Sequence, residues 1–480
     1  MRLTATSAAV AAVSSLSVLT GGGAALATQP AANALPGEIH RVMVIDLENE
    51  SYDETFGANS PVTYLTKTLE PQGTLLPNYY GIGHVSLDNY VAQISGQAPN
   101  PSTSSDCTSF TSSLGSYNDV TPGTLAADQK KYPGQVVGDG CVYPAAARTI
   151  ADQLDARYSD SAGGNWREYA EDMGNDPARD GGTADPLGGT DCAHPTQTDG
   201  HGWDATNYAQ GPSATGSQVK SPTADAYANR HNPFVYFHSI IDNQAGCDQG
   251  VVPLGTVTHG ANGNPVSYTG HLAQDLSSVS TTPRFSFITP NLCNDGHDAT
   301  CAGPNSAGTT AGGLTALNAW LTSWMPLILT SPAYRSGQLL VVITADEGSI
   351  IESSAGDNEQ PGPNSANPGY SALLNTPIAA YGGKTYYQLL GLKGLTPGVQ
   401  PPAGTMPGGG RIGALLLNSK WVKAGGVDAT SYNHYSALRS YEDLLGITSG
   451  GADGAGHLGF AATATTFGPG VWTKPGGSSR

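Results

Sequence analysis

Two pairs of adjacent oxygen donors stand out. Glu48 and Asn49 lie in RVMVIDLENESYDETFG (residues 41–57), and Asp346 and Glu347 in LLVVITADEG (339–348). Each pair follows an uncharged apolar run. Carboxylate and amide oxygens are the ligands that Mg²⁺, Ca²⁺ and Mn²⁺ favour. Two such pairs on neighbouring strands would form a compact anionic cage. Charged residues make up only 12% of the chain, so Asp46, Glu48, Glu50, Asp53 and Glu54 within one short stretch are more than surface decoration. One acidic pair in a loop means little; the two together predict a cation site.

Ser86, in GIGHVSLDNYVAQISG (81–96), precedes an apolar helical run. Its plain reading is an N-cap. A helix N-terminus also draws anions, and a serine there beside a cation can become an activated nucleophile. NLCNDGHD (291–298) brings Asp295, His297 and Asp298, and SYNHYSALRSYEDLLG (431–446) brings His434 at a helix entry. A lone loop histidine is usually a hydrogen-bonded surface residue. Beside carboxylates at strand ends, these could bind metal, hold a phosphoryl oxygen or protonate a leaving group.

These residues must be carried by elements that converge. Four runs read as buried strands, each followed at once by polar residues: RVMVID, FVYFHSI, RFSFITP and LLVVIT. Runs without polar alternation suit a sheet covered on both faces, hence a mainly parallel one. NYVAQISG, RTIADQLDARY, WREYAEDM, LTALNAWLTSWMPLIL and YSALRSYEDLLGI read as helices, with Leu317, Trp320, Leu321 and Trp324 as core. Strands alternating with helices predict an α/β fold whose ligands sit beyond the carboxyl ends of the strands, where all four polar clusters lie. Long Gly-, Ser-, Pro- and Asn-rich loops at 98–140, 174–230, 352–370 and 396–410 read as lids or substrate-binding insertions.

Residues 1–27 have a basic start, an apolar and small-residue middle and Ala25-Leu26-Ala27, the pattern of a secretory signal peptide. The expected organisation is that peptide, a catalytic domain over 28–450 and a loosely ordered Gly/Ala-rich tail over 451–480. No later run approaches the ~18 apolar residues of a membrane span, so an exported protein without membrane insertion is expected. The six cysteines then predict up to three disulfides, with Cys293 and Cys301 close enough to clip one loop. A net charge of −18 without clustered Lys or Arg argues against a nucleic-acid partner.

VMVIDLENESYDETFG resembles the ENxSFDxxFG signature of the bacterial phosphoesterase family that contains secreted phospholipases C and acid phosphatases, within the alkaline phosphatase-like superfamily. HVSLDNYVAQISGQ, HNPFVYFHSI, FITPNLCNDGHD, VVITADEG and YNHYSALRSYEDLLGI match further blocks in the family's order. The resemblance implies a three-layer α/β/α sandwich and hydrolysis of phosphate esters through a phosphoryl-enzyme intermediate. It implies a divalent metal ion (Mg, Ca, Mn or Zn) held by Glu48, Asn49, Ser86, Asp346 and Glu347, with Ser86 as nucleophile and Ser95 a weaker alternative. His297 and His434 become catalytic candidates, and His84, Asn89 and Asp295 phosphate-binding or second-metal candidates. Glu50 stands where the family has a basic residue, and NDGHD departs from the D-x-x-x-H spacing of two-zinc phosphatases. A phosphomonoesterase is expected first, a phospholipase C second. A non-catalytic extracellular binder is the alternative of another class.

Overall fold

Val42, Met43, Val44 and Ile45 are stiff or bulky side chains that pack well on a pleated surface, and they form the centre of β1 (Arg41–Leu47). The computed structural model describes residues 35–83, 85–107, 117–130, 132–159, 164–175, 181–194, 226–297, 310–348, 377–378, 384–385 and 409–473. The other sheet strands are β2 (Thr74–Leu76), β3 (Trp166–Ala170), β4 (Val251–Pro253), β5 (Phe285–Thr289), β6 (Leu339–Ala345), β7 (Ala414–Leu417) and β8 (Gly426–Val427). They make one eight-stranded sheet in the order β8-β2-β7-β6-β1-β5-β3-β4. β1 pairs in parallel with β5 and β6, and β5, β3 and β4 continue in parallel; within this sheet β7 alone runs against its neighbours.

Helices cover the sheet. Helix α1 (Ser86–Ser95) lays Tyr90 against Phe287 at 6.1 Å between ring centres, and α4 (His434–Leu444) lays Tyr441 against Phe285 at 6.0 Å. Phe285 and Phe287 are two apart on β5, so both helices lie on one face. The other face is buried too, through Met43, Ile45 and Leu47 of β1. The 18-residue α3 (Gly313–Thr330) adds Leu317, Trp320, Leu321 and Trp324 to the same core. Helix α2 (Ile150–Arg157) starts at a capping box in which Thr149 and Asp152 satisfy each other's backbone N–H groups. The expected α/β sandwich with a mainly parallel sheet is therefore present.

Two elements differ from expectation. FVYFHSI is no strand: Pro233–Tyr236 is a 3₁₀ turn and His238–Ile241 one helical turn. Proline has no N–H to give a ladder, and the apolar residues pack on the sheet instead, Phe234 stacking on Trp166 at 4.8 Å. WREYAEDM supplies β3 rather than a helix. Its charges are buried because Asp275 pairs with Arg167 at 3.3 Å and Thr289 donates to Glu168 at 2.8 Å. β2, β4 and β7, three or four residues each, were too short to register as periodic runs.

Residues 451–473 are packed, not loose: Phe467 meets Tyr432 edge-on at 5.3 Å, and Phe460 and Trp472 are buried. Disulfides join Cys107 to Cys141 and Cys192 to Cys247. Cys293 is disulfide-bonded as well. Cys301 and most of the long loops lie outside the described residues. Among the described residues no helix is long and apolar enough to cross a membrane.

Candidate active site

The site is built where the two-residue period of β1 meets the helical period of α1. Asp46 and Glu48 share one face of the strand line, and Ser86, Tyr90 and Gln93 share one face of the helix. The Ser86 hydroxyl donates to Glu48 Oε2 at 2.9 Å, the Tyr90 hydroxyl to Glu48 Oε1 at 2.7 Å, and Gln93 Nε2 to Asp46 Oδ2 at 2.5 Å. All five side chains are buried. Ser86 is therefore not the N-cap: it is the first helical residue, Val85 occupies the cap position, and the hydroxyl points to Glu48.

Backbone conformation sets the remaining ligand-type groups. Asn49 has φ 43°, a left-handed conformation that asparagine tolerates. This aims its N–H at Asp346 Oδ1, 3.0 Å away. Val85 has φ 90°, a genuine outlier for a β-branched residue that costs on the order of 1–3 kcal/mol. Its N–H is gripped by both oxygens of Glu347, at 2.9 and 3.0 Å. Gly81 is required nearby, since a Cβ there would stand 2.9 Å from the carbonyl oxygen of Asp346. Glu48, Asn49, Ser86, Asp346 and Glu347 thus lie together.

Two neighbours escaped the sequence reading. Arg230 and His231 follow a long polar loop, within ANRHNPF, and neither has any periodic signal. His231 Nε2 lies 3.2 Å from Glu48 Oε1, and its ring stacks on Tyr90 at 5.2 Å. One ligand atom each from Glu48, His231 and Asp295 falls within a mutual 4.8 Å. Asp295 also ties the strand ends together, its carbonyl accepting from Glu48 N at 3.0 Å. Arg230 stands 3.7 Å from Asp106, whose other carboxylate oxygen accepts from Leu87 N in the first turn of α1 at 2.9 Å. Asp106 rather than a solute thus occupies that amide.

The charges are not self-compensated. Burial pushes Glu48 well above the usual carboxylate range, against the opposing pull of Arg230 and the hydroxyls of Tyr90 and Ser86. Burial, then the charges of Glu48, Glu347 and Asp46, do the same to Asp346. Burial, Arg230 and His297 keep His231 neutral, the form that ligates metal. Asn49 Oδ1, Asp346 Oδ2 and His231 Nδ1 are buried without a hydrogen-bond partner among the described residues. Clustered carboxylates, a neutral imidazole and unspent buried oxygens fit a divalent cation.

Other expected residues have different places. Asn89 is spent on the backbone. Its side chain is buried, its oxygen accepts from Ile82 N and Gly83 N, and its amide donates to the carbonyls of Gly83 and Val85, shaping the turn before Ser86. His434 is also spent: Nε2 lies 2.6 Å from the Asp346 carbonyl oxygen and Nδ1 3.2 Å from the Tyr79 hydroxyl. Its ring is buried, and burial pulls its pKa down to about 4. It is placed to position Asp346. Ser95 donates to Val91 O within α1. His297 is exposed at the rim, with Nδ1 3.4 Å from Asn49 Nδ2. His84 and Asp298 lie outside the described residues.

Residues 59–448 match the model of the Phosphoesterase family. This span begins after Glu48 and Asn49 and includes the other site residues. The chain is 22% identical to an acid phosphatase of Aspergillus fumigatus over 68% of its own length and 48% of that protein. It is 24% identical to a phosphate-repressible acid phosphatase of Penicillium chrysogenum, over 68% and 52% respectively. The chain thus spans about half the length of these relatives. Among solved structures, an alkaline phosphatase superfamily protein of Vibrio parahaemolyticus aligns with 12% identity and a TM-score of 0.38, covering 85% of this chain and 67% of that one. The wild-type alkaline phosphatase PafA aligns with 11% identity and a TM-score of 0.36, covering 91% and 99%. With the family model matched over most of its length, the chain belongs to the Phosphoesterase family.

Proposed function

We propose that this protein is a secreted, metal-dependent phosphomonoesterase of acid phosphatase type, working through a phosphoserine on Ser86. The observation that carries the reading is the Ser86 hydroxyl, held at the first position of α1 by the strained Val85 and donating to the buried Glu48. A serine kept off its capping role and aimed into a carboxylate cluster fits a nucleophile better than a structural hydroxyl.

Ser86 Oγ attacks phosphorus and its proton passes toward Glu48 Oε2. The Oγ–P bond forms as the ester P–O bond breaks, and the departing oxygen takes a proton at the rim, where His297 stands. Water then attacks phosphorus on the opposite side from Oγ, giving up a proton at the rim, and the Oγ–P bond breaks as Oγ takes back the proton held at Glu48, releasing inorganic phosphate. Arg230 supplies the cationic side chain that suits a phosphoryl oxygen. Glu48, Asn49, Asp346 and Glu347, with His231 and Asp295 beside them, would hold a divalent ion, which supplies Lewis-acid stabilisation of the developing charge. Tyr90 orients Glu48, and Asn89 and Glu347 fix the turn that presents Ser86.

Secretion is supported by the first 27 residues and by the two disulfides whose pairing is defined. The test is hydrolysis of a soluble aryl phosphate, with phosphatidylcholine as the comparison. Expected are turnover of the aryl phosphate, loss of at least a thousandfold in kcat for Ser86→Ala, and loss of activity on chelation with recovery on adding metal. Full activity of Ser86→Ala, or of extensively demetallated protein, would overturn the mechanism. Preference for phosphatidylcholine would shift the assignment to a phospholipase C.

A further inference from the structure

A second cluster lies at the β4 edge of the sheet. The hairpin Thr183–Ala184/Thr190–Asp191 abuts β4, with Cys192 N donating to Val251 O at 2.8 Å. The hairpin presents Asp185 and Asp191, and the short helix His271–Asp275 presents its first residue, His271. Ligand atoms from these three side chains lie within a mutual 4.8 Å. Asp185 has a fully buried side chain. Its Oδ1 accepts from Leu187 N at 2.5 Å, while Oδ2 lies 2.5 Å from His271 Nε2.

Asp191 carries the argument. It is 8% exposed, and its Oδ1 is buried without a hydrogen-bond partner. It is hydrogen-bonded to another carboxylate, Asp185, and feels the charge of a third, Asp248. Arg167 is the nearby cation that opposes them, and it is already paired with Asp275 at 3.3 Å. Two carboxylates in contact must share either a proton or a cation. The imidazole decides which cation suits: oxygen with nitrogen donors match Zn²⁺ and related ions, whereas Ca²⁺ and Mg²⁺ prefer all-oxygen shells. The frame is rigid, because the Cys192–Cys247 disulfide fixes the residue after Asp191 to the residue before Asp248.

We propose that Asp185, Asp191 and His271 form a second cation site, separate from the Ser86 centre, that takes a divalent ion of Zn²⁺ type and ties the 183–191 hairpin to the start of the 271–275 helix. Water completes the tetrahedral shell. The site does not depend on the phosphatase reading.

The test uses the full chain stripped with chelator and reloaded with Zn²⁺, measuring bound zinc by elemental analysis and the thermal midpoint with and without Zn²⁺. Asp191→Asn and His271→Gln are each expected to bind one equivalent fewer than wild type and to lose part of the zinc-dependent rise in midpoint. Their activity per active-site metal should match wild type. Glu48→Gln should retain this equivalent and its effect on the midpoint. Wild-type zinc content and wild-type zinc response in both variants would overturn the proposal. So would an Asp191→Asn protein that is more stable than wild type and whose midpoint responds to zinc as wild type does, the result of a shared proton. His271→Gln alters a partly exposed side chain and keeps the test readable if Asp191→Asn does not accumulate.

Discussion

Replacing His434 with alanine separates two roles that its position allows. In the structure its Nε2 faces a carbonyl oxygen, which can only accept, so Nε2 carries the hydrogen and Nδ1 accepts from Tyr79. Removing the ring leaves the Asp346 carbonyl and the Tyr79 hydroxyl buried without these partners, at roughly 1–3 kcal/mol each. It also removes an edge-on contact with Tyr79 at 5.5 Å between ring centres, worth about 0.5–1.5 kcal/mol. A loss of about 5 kcal/mol in unfolding free energy follows. Urea unfolding followed by tryptophan fluorescence measures it as a lower midpoint at unchanged slope. Activity should fall with metal affinity, because Asp346 loses its support, and excess metal should restore part of it. The acid limb of the kcat profile should stay where it is, since burial keeps the ring neutral down to about pH 4. Stability within about 1 kcal/mol of wild type, together with loss of that limb, would refute this reasoning and make His434 the acid.

Arg230→Ala should raise KM for phosphate monoesters ten- to a hundredfold, the loss of one charge-assisted contact of about 1.5–3 kcal/mol; steady-state kinetics measure it. Opening the Cys107–Cys141 bridge by a double serine substitution frees a loop with a sequence separation of 34 and should cost about 3–4 kcal/mol. It should also lower kcat, because the adjacent Asp106 holds the first turn of α1. The His457 ring lies between Asp443 at 2.9 Å and Asp453 at 2.5 Å. Burial disfavours its cation, but these hydrogen bonds outweigh burial and raise its pKa. That stabilisation is complete below the unfolded value near ~6.5 and is lost as pH rises through the folded one. Burial opposes the Asp453 charge, yet His457 and backbone N–H groups hold its pKa down at about 2, so its share is lost as pH falls toward that value. The midpoint difference between wild type and His457→Gln should therefore peak near about pH 5 and vanish at alkaline pH; thermal scans across pH test this.

The strands that carry the proposed ligands are legible because β1, β5 and β6 are apolar and buried on both faces. The proposed ligand pairs at the ends of β1 and β6 stand out as adjacent oxygen donors after apolar runs. What was not legible has physical causes. β3 carries Arg167 and Glu168, whose burial depends on partners over a hundred residues away, so its pattern imitates an amphipathic helix. His231 has no periodic context and joins the site because a 3₁₀ turn, not a strand, places it there. Residue type and block position make Asn89 a phosphate-binding candidate and His434 a catalytic one. Their hydrogen bonds are consumed by backbone at short range in one case and across 88 residues in the other.

The acidic stretch after β1 divides by function for the same reason. Glu54 closes a capping box with Ser51, and Asp53 lies 3.7 Å from Arg411. Neither points to the site. Asp46 and Glu48 do, because a two-residue period puts both on the face that meets α1. A shift of one residue in β1 would send both to the opposite face, but β1 is paired along its length with β6 and over Val42–Ile45 with β5, which fixes its register. Helix α1 is in turn fixed along its axis by Gln93 on Asp46 and by Tyr90 and Ser86 on Glu48. The height and orientation of Ser86 are thus set by a strand–helix interface. The turn at 82–85 then has one task, to bring the chain into the helix at that fixed position, and Val85 meets it only by adopting φ 90° under the grip of Glu347. The strain therefore belongs to the presentation of Ser86, and the carboxylate that holds it is one of the proposed metal ligands.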